Sequence, residues 1–229
     1  MVRRVFFVCG TDTEVGKTFV SCALLRNARG QGLRVYALKP VASGGQYHPG
    51  HRRLENLDAR ALAEASSEKL PYEQVNPVCL EAAVAPHLAA MQAGRVLRLN
   101  ALLGQVRGAL SCPADLVLIE GAGGWRTPLD PRARTGLNHL AQSLGCPVIM
   151  VVGMRLGCIN HALLTVDAVR ADGLELAGWV ANVLDVDMPL LAENIESLRS
   201  LIAAPFLGIL NRDDFSGAGL DLGLLGLGR

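Results

Sequence analysis

The stretch Val5-Phe6-Phe7-Val8-Cys9-Gly10-Thr11-Asp12-Thr13-Glu14-Val15-Gly16-Lys17-Thr18-Phe19-Val20 decides the fold. Its first five residues are apolar without interruption, as a strand covered on both faces should be. Gly10 then opens a polar loop that closes on Gly16-Lys17-Thr18, and a helical pattern continues to about Ala28. A strand, a glycine-bearing loop and a helix N-terminus make an anion cradle, because backbone N–H groups point inward and the helix dipole favours negative charge. In that arrangement Lys17 reaches the β- and γ-phosphates of ATP, and the Thr18 hydroxyl ligates Mg2+. The common pattern has four residues between its glycines. Here five separate Gly10 from Gly16, with Gly-Lys-Thr intact. An ordinary turn could carry these residues by chance, but the strand before and the helix after favour a variant phosphate loop.

Working outward, short apolar runs alternate with helical patterns. Strands are predicted at Val5–Cys9, Val35–Leu38, Leu116–Ile119, Val148–Val152, Leu176–Ala181 and Phe206–Leu210. Helices are predicted at about Lys17–Ala28, Asp58–Ser66, Leu97–Leu110, Leu137–Leu144, Asn160–Ala171 and Leu190–Ile202, with Gly145 and Gly173 as stops. This alternation predicts an α/β fold: a doubly wound, mostly parallel sheet with helices on both faces, of the P-loop NTPase type. No linker interrupts residues 1–229, so a single domain is expected, with the Gly- and Leu-rich tail 216–229 poorly ordered or docked on a partner. In such sheets ligands bind beyond the carboxyl ends of the strands. Gly10, Lys39-Pro40, Glu120-Gly121, Gly153 and Asn182 all fall just after a predicted strand and so share one rim.

Composition narrows the function. Half of the 229 residues are hydrophobic, aromatics make up 4%, and the formal net charge is +1. A nucleic-acid protein would show a basic stripe or a stacking surface. No apolar run reaches the roughly 18 residues of a membrane span, and no cleavage site follows Met1-Val2-Arg3-Arg4. A cytoplasmic protein is expected. The six cysteines form no C-x-x-C pair and read as small core residues.

Only Lys17, Lys39 and Lys69 are lysine among 22 basic residues. Where arginine is the default, a lysine at a strand end asks for a reason, and a compact ammonium can enter a tight phosphate pocket. Lys39, before Pro40-Val41-Ala42-Ser43-Gly44, is therefore a candidate second cation beside Lys17. Glu120 leaves a buried strand and is a candidate Mg2+ anchor, although it could also cap the next segment. Gly121, Ala122 and Gly123 let backbone approach the nucleotide. Asp58 opens a helix, and spacing alone leaves it equally a helix cap or a metal ligand. His139 and His161 read as helix residues without chemistry, Asp167 and Asp172 as a solvated helix face, and Trp125 and Trp179 as core or wall.

Several blocks together resemble the dethiobiotin synthetases: Gly10 to Thr18, Lys39-Pro-Val-Ala-Ser-Gly44, Val117-Leu-Ile-Glu-Gly-Ala-Gly-Gly-Trp125, Gly157-Cys-Ile-Asn-His-Ala162 and Leu176-Ala-Gly-Trp-Val-Ala-Asn182. They keep the family's order from the first strand to about Gly208. The resemblance implies ATP- and Mg2+-dependent closure of 7,8-diaminononanoate and CO2 to dethiobiotin, through a carbamate and a mixed carbamic-phosphoric anhydride. It implies catalytic roles for Lys39 and Lys17, and Mg2+ on Thr18, Asp58 and Glu120. Nucleotide contacts are implied at Thr13, Glu14, Val15, Gly16, Lys17, Thr18, Phe19, Asp58 and Glu120 to Gly123. They continue at Asn182, Val183, Asn211, Arg212 and Asp213. It further implies substrate contacts at Ser43 and at Gly157, Cys158, Ile159 and Asn160, the latter segment reaching the substrate tail across a homodimer. The stretch Ile209-Leu210-Asn211-Arg212-Asp213 departs from the family, which usually continues there toward a proline.

A regulatory switch ATPase, of the kind that partitions plasmids or places septa, is the main rival. Such proteins carry a signature lysine where this chain has Asp12, and often end in a basic amphipathic helix. A glutamine-dependent amidotransferase half would need a glutaminase domain for which no residues remain.

Overall fold

The computed structural model describes residues 3–227. The chain runs β1 (Arg4–Gly10), α1 (Lys17–Gly30), β2 (Val35–Leu38), β3 (Val41–Ala42), β4 (Gln46–His48), β5 (Arg53–Glu55), α2 (Leu57–Ala65) and α3 (Tyr72–Val75). It continues through β6 (Val78–Cys79), α4 (Pro86–Gln92), α5 (Leu99–Ala109), β7 (Leu116–Gly124), β8 (Pro128–Asp130) and β9 (Thr135–Gly136). Last come α6 (Leu137–Leu144), β10 (Val148–Met154), α7 (Cys158–Ala171), β11 (Leu176–Val183), α8 (Leu191–Leu201) and β12 (Phe206–Leu210).

Six strands form one sheet in the order β12-β11-β10-β1-β7-β2, with every neighbouring pair parallel. These are the six strands that sequence patterning predicts. Their unbroken hydrophobicity has a plain cause, since alternate side chains enter two separate cores. Phe7, Cys9, Val117 and Ile119 pack with α5, α6, α7 and α8 on one face. Phe6, Val8, Leu116 and Leu118 pack with α1 and α2 on the other. Strand β1 lies between β7 and β10, where the strand order reverses, so the loop after β1 opens at the topological switch point. Gly145 and Gly173 adopt positive φ (63° and 75°) just past α6 and α7, as helix stops require.

Sequence patterning does not reveal the short pieces: the two-residue pair β3·β6, the hairpins β4–β5 and β8–β9, and helices α3 and α4. Nor does it place the tail, which is not loose. Residues 216–227 fold back over α1, and Leu220, Leu222, Leu225 and Leu227 enter its core. Asn27 donates from Nδ2 to the Gly217 and Leu220 carbonyls at 2.7 and 3.0 Å. Gly217 is held at φ 67° against the Ala23 backbone, where no larger residue fits. The glycines therefore give the turns, and the leucines do the packing; Gly228 and Arg229 lie outside the described residues. Leu222→Ala should accordingly cost about 2–5 kcal/mol, as core leucine truncations do, read as a lower midpoint in urea unfolding.

Candidate active site

The strand ends meet around one cavity of about 1120 Å³ beside the phosphate loop. Thr11, Thr13, Glu14, Gly16, Lys17, Thr18 and Phe19 form one wall. Lys39, Ser43 and Asp58 form the second, and Ala122 to Thr127 the third.

The loop is fixed from behind. Asn182, at the end of β11, donates from Nδ2 to the Val15 carbonyl at 2.9 Å, and Val15 is buried. Asp12 accepts from the Thr13 N–H at 2.7 Å and pairs with Arg155 at 2.5 Å. Lys17 is 7% exposed and donates to the Asp12 carbonyl at 3.2 Å. Gly16 caps α1 at φ 82°, and a Cβ there would lie 2.1 Å from Asn182 Nδ2. Gly16→Ala therefore combines left-handed strain of about 1–3 kcal/mol with a collision. It is expected to open the loop and weaken ATP binding about tenfold or more, read by equilibrium nucleotide titration beside a thermal melt.

Opposite Lys17 lies a charged cluster. Lys39 is 4% exposed, and its Nζ is 2.6 Å from Glu120 Oε1, 3.2 Å from Asp58 Oδ2 and 3.3 Å from the Gly121 carbonyl. Thr18 Oγ1 donates to the same Glu120 oxygen at 2.7 Å. Glu120 is fully buried, and its other oxygen, Oε2, has no partner. Burial alone would lower the Lys39 pKa, but the Glu120 and Asp58 carboxylates outweigh it and hold the ammonium above its ordinary value. Lys17 is pushed down, first by burial and then by the Lys39 charge. The two ammonium groups thus repel within one pocket, a repulsion that a bound polyanion would relieve.

Asp58 is not the helix cap. Asn56 caps α2, with its side-chain oxygen accepting from the Ala59 N–H at 3.2 Å, which leaves the Asp58 carboxylate to face Lys39 and the cavity. Lys69, the third lysine, caps the other end of α2 by donating to the Ala63 and Ser66 carbonyls at 2.9 and 2.8 Å.

Among the other candidates, Ser43 lines the cavity and its buried hydroxyl has no partner. Glu120, Gly121 and Asn182 stand just behind the wall, and Val183 follows on the same strand. Asn211, Arg212 and Asp213 form an exposed turn past β12 and do not line the cavity. Gly157 to Asn160 do not line their own cavity either, although His161, Leu164, Thr165 and Ala168 of the same helix do. His161 is thus a wall residue that helix periodicity did not mark out. Asp172 is no solvated helix face: it accepts from Trp125 Nε1 at 2.8 Å and Asn138 Nδ2 at 2.9 Å and pairs with Arg126 at 3.0 Å. It braces Trp125, which packs edge-on against Phe7 at 6.0 Å and walls the cavity.

A family model described as an AAA domain matches residues 4–217. The ATP-dependent dethiobiotin synthetase BioD of Cellvibrio japonicus is 54% identical over 227 residues, covering 97% of each chain. Its counterpart in Pseudomonas paraeruginosa is 50% identical, covering 97% of this chain and 98% of that one. Among solved structures, the signal recognition particle receptor FtsY of Elizabethkingia anophelis aligns with a TM-score of 0.54 at 16% identity, over 99% of this chain and 64% of that one. The septum site-determining protein MinD of Pyrococcus horikoshii, complexed with Mg-ADP, aligns with a TM-score of 0.54 at 16% identity, over 99% and 89%. At that identity these two show the shared fold alone. With half its residues identical to the synthetases along nearly the whole length, and with two buried lysines facing each other over the loop, the chain belongs to the ATP-dependent dethiobiotin synthetase family.

Proposed function

We propose that the protein makes dethiobiotin, ADP and phosphate from 7,8-diaminononanoate, CO2 and ATP. The observation that carries this reading is the buried pair Lys17 and Lys39, on opposite walls of one cavity at the carboxyl edge of the sheet. A carbamate is a weak, anionic nucleophile, and its attack on a polyanionic γ-phosphate needs flanking cations and tight positioning. Lys17 holds the β- and γ-phosphates. Lys39 neutralises charge between the carbamate and the phosphoryl group as the carbamate oxygen displaces ADP. The second amine then closes on the activated carbonyl, and phosphate leaves. Ser43, whose hydroxyl is free, holds the diamine end of the substrate.

The oxygen set fits Mg2+. The unpartnered Glu120 Oε2, the Asp58 carboxylate and the Thr18 hydroxyl are hard donors at one place, two of them anionic. Bound there, the ion would draw charge from the phosphates. Lys39 now bridges Glu120 and Asp58, so it exchanges those partners for the substrate's oxygens when the site loads.

A homodimer is part of the reading. Leu156 is 96% exposed and Leu164 61% exposed, next to the Gly157–Asn160 segment that leaves its own cavity untouched. Covered by a second subunit, that segment would bring the N-terminus of α7 to the substrate carboxylate, a favourable pairing of dipole and charge.

The test is the assay with purified protein, Mg-ATP, bicarbonate and the diamine, omitting each in turn. Dethiobiotin and phosphate should appear in equal amounts only in the full mixture. ATP hydrolysis that ignored the diamine but rose with a protein or DNA partner would instead support a switch ATPase.

A further inference from the structure

We propose that the β4–β5 hairpin holds a transition-metal ion between His48 and His51, with Glu55 orienting the second imidazole. The three side chains offer ligand atoms that all lie within 4.8 Å of one another. The imidazoles are stacked, centroids 4.1 Å apart and 14° from parallel. This cluster shares no residue with the Thr18, Asp58 and Glu120 set and plays no part in the reaction above.

The turn builds the pair. Residues 49–52 connect the strands, the His51 N–H donates to the His48 carbonyl at 3.2 Å, and Arg52 takes φ 53° to close the loop. Both rings therefore stand on one side of the hairpin. His51 Nδ1 lies 2.6 Å from Glu55 Oε1. An ionised carboxylate can only accept, so Nδ1 carries the hydrogen and the Nε2 lone pair is left for an ion. A carboxylate that fixes the tautomer in this way is the usual support of a metal-ligating histidine.

Glu55 itself is occupied. Its Oε1 also accepts from Arg53 Nε at 3.0 Å, and Arg60 stands 3.8 Å from Oε2. The protein ligands are then two neutral imidazoles, with water completing the shell. Such donors suit Zn2+, Ni2+, Co2+ or Cu2+ and discriminate against Mg2+, which takes oxygen. Metal–nitrogen bonds of 2.0–2.1 Å in a tetrahedron put two nitrogens about 3.3 Å apart. The candidate ligand atoms lie within 4.8 Å of one another, so they must draw together to reach that spacing, and the near-parallel rings must turn to aim their lone pairs at one point. With half its surface in solvent, the His51 ring has room to tilt about its hydrogen bond to Glu55.

Calorimetric titration of the nucleotide-free protein with Zn2+ and Ni2+ should find one saturable site, unaffected by excess Mg2+. His48→Ala/His51→Ala should abolish it, and Glu55→Gln should weaken it about tenfold. Because Glu55 is buried, Glu55→Gln could disturb the hairpin; the double histidine variant, checked by circular dichroism, therefore decides. Visible absorption of the Co2+ form should lack a thiolate charge-transfer band. Absence of saturable binding, equal binding by the double variant, or a thiolate band placing the ion on a cysteine would each overturn the proposal.

Discussion

Lys39→Arg is expected to reduce kcat about a hundred- to a thousand-fold, the usual loss on removing one preorganised donor from a transition state, while ATP still binds. Charge is retained in this variant, so charge alone cannot explain the loss. The ammonium sits among three acceptors, Glu120 Oε1, Asp58 Oδ2 and the Gly121 carbonyl, converging on one point. A guanidinium spreads its donors over a planar fork and is longer. With the side chain 5% exposed, it has nowhere to put the extra width. The fork will either push Asp58 aside or rotate out of the cavity. Steady-state kinetics with a separate measurement of ATP affinity tests this. Turnover near that of the parent protein would return Lys39 to a purely structural role.

Glu120→Ala should cost about 3–5 kcal/mol of folding stability in the absence of nucleotide, the range for removing one partner of a buried ion pair. The carboxylate is fully buried and accepts from both Lys39 and Thr18. Its removal leaves a nearly buried ammonium with the half-exposed Asp58 as its one carboxylate partner. Denaturant unfolding gives the number. As a control, Glu196→Ala removes an exposed partner of Arg199 and should change stability by less than about 1 kcal/mol. If both variants unfolded alike, Asp58 would be sufficient counter-charge for Lys39, and Glu120 would matter only to the loaded site.

The parts legible in the sequence share a physical reason. Each central strand is apolar on both faces because two cores meet on it, and that signal survives without any partner strand being known. Lys39 stood out because lysine is scarce in this chain. What stayed illegible is set by contacts distant in sequence. Spacing could not separate cap from ligand at Asp58, because the competing cap, Asn56, is equally good by residue type. Asp172 carries an ordinary surface signature, and only the approach of Trp125, Arg126 and Asn138 buries its carboxylate. Helices of four and seven residues, α3 and α4, are too short for a periodic pattern to register. The glycines of the tail read as disorder, whereas Leu220, Leu222, Leu225 and Leu227 find a core on α1 that local sequence does not show.

The sheet order has a consequence for how the molecule comes into being. Strand β1 is central, yet Val5 is paired with Val117 and Phe7 with Val148, both more than a hundred residues away. Helix α1 packs on β1 locally, but the sheet pairing of β1 waits for those partners, and loop closure over such spans is slow. The nucleotide pocket is therefore complete only when distant parts of the polypeptide have met. A ligand that recognises the finished pocket and not the open chain draws the population toward the native state, so ATP should raise the midpoint at which this chain unfolds.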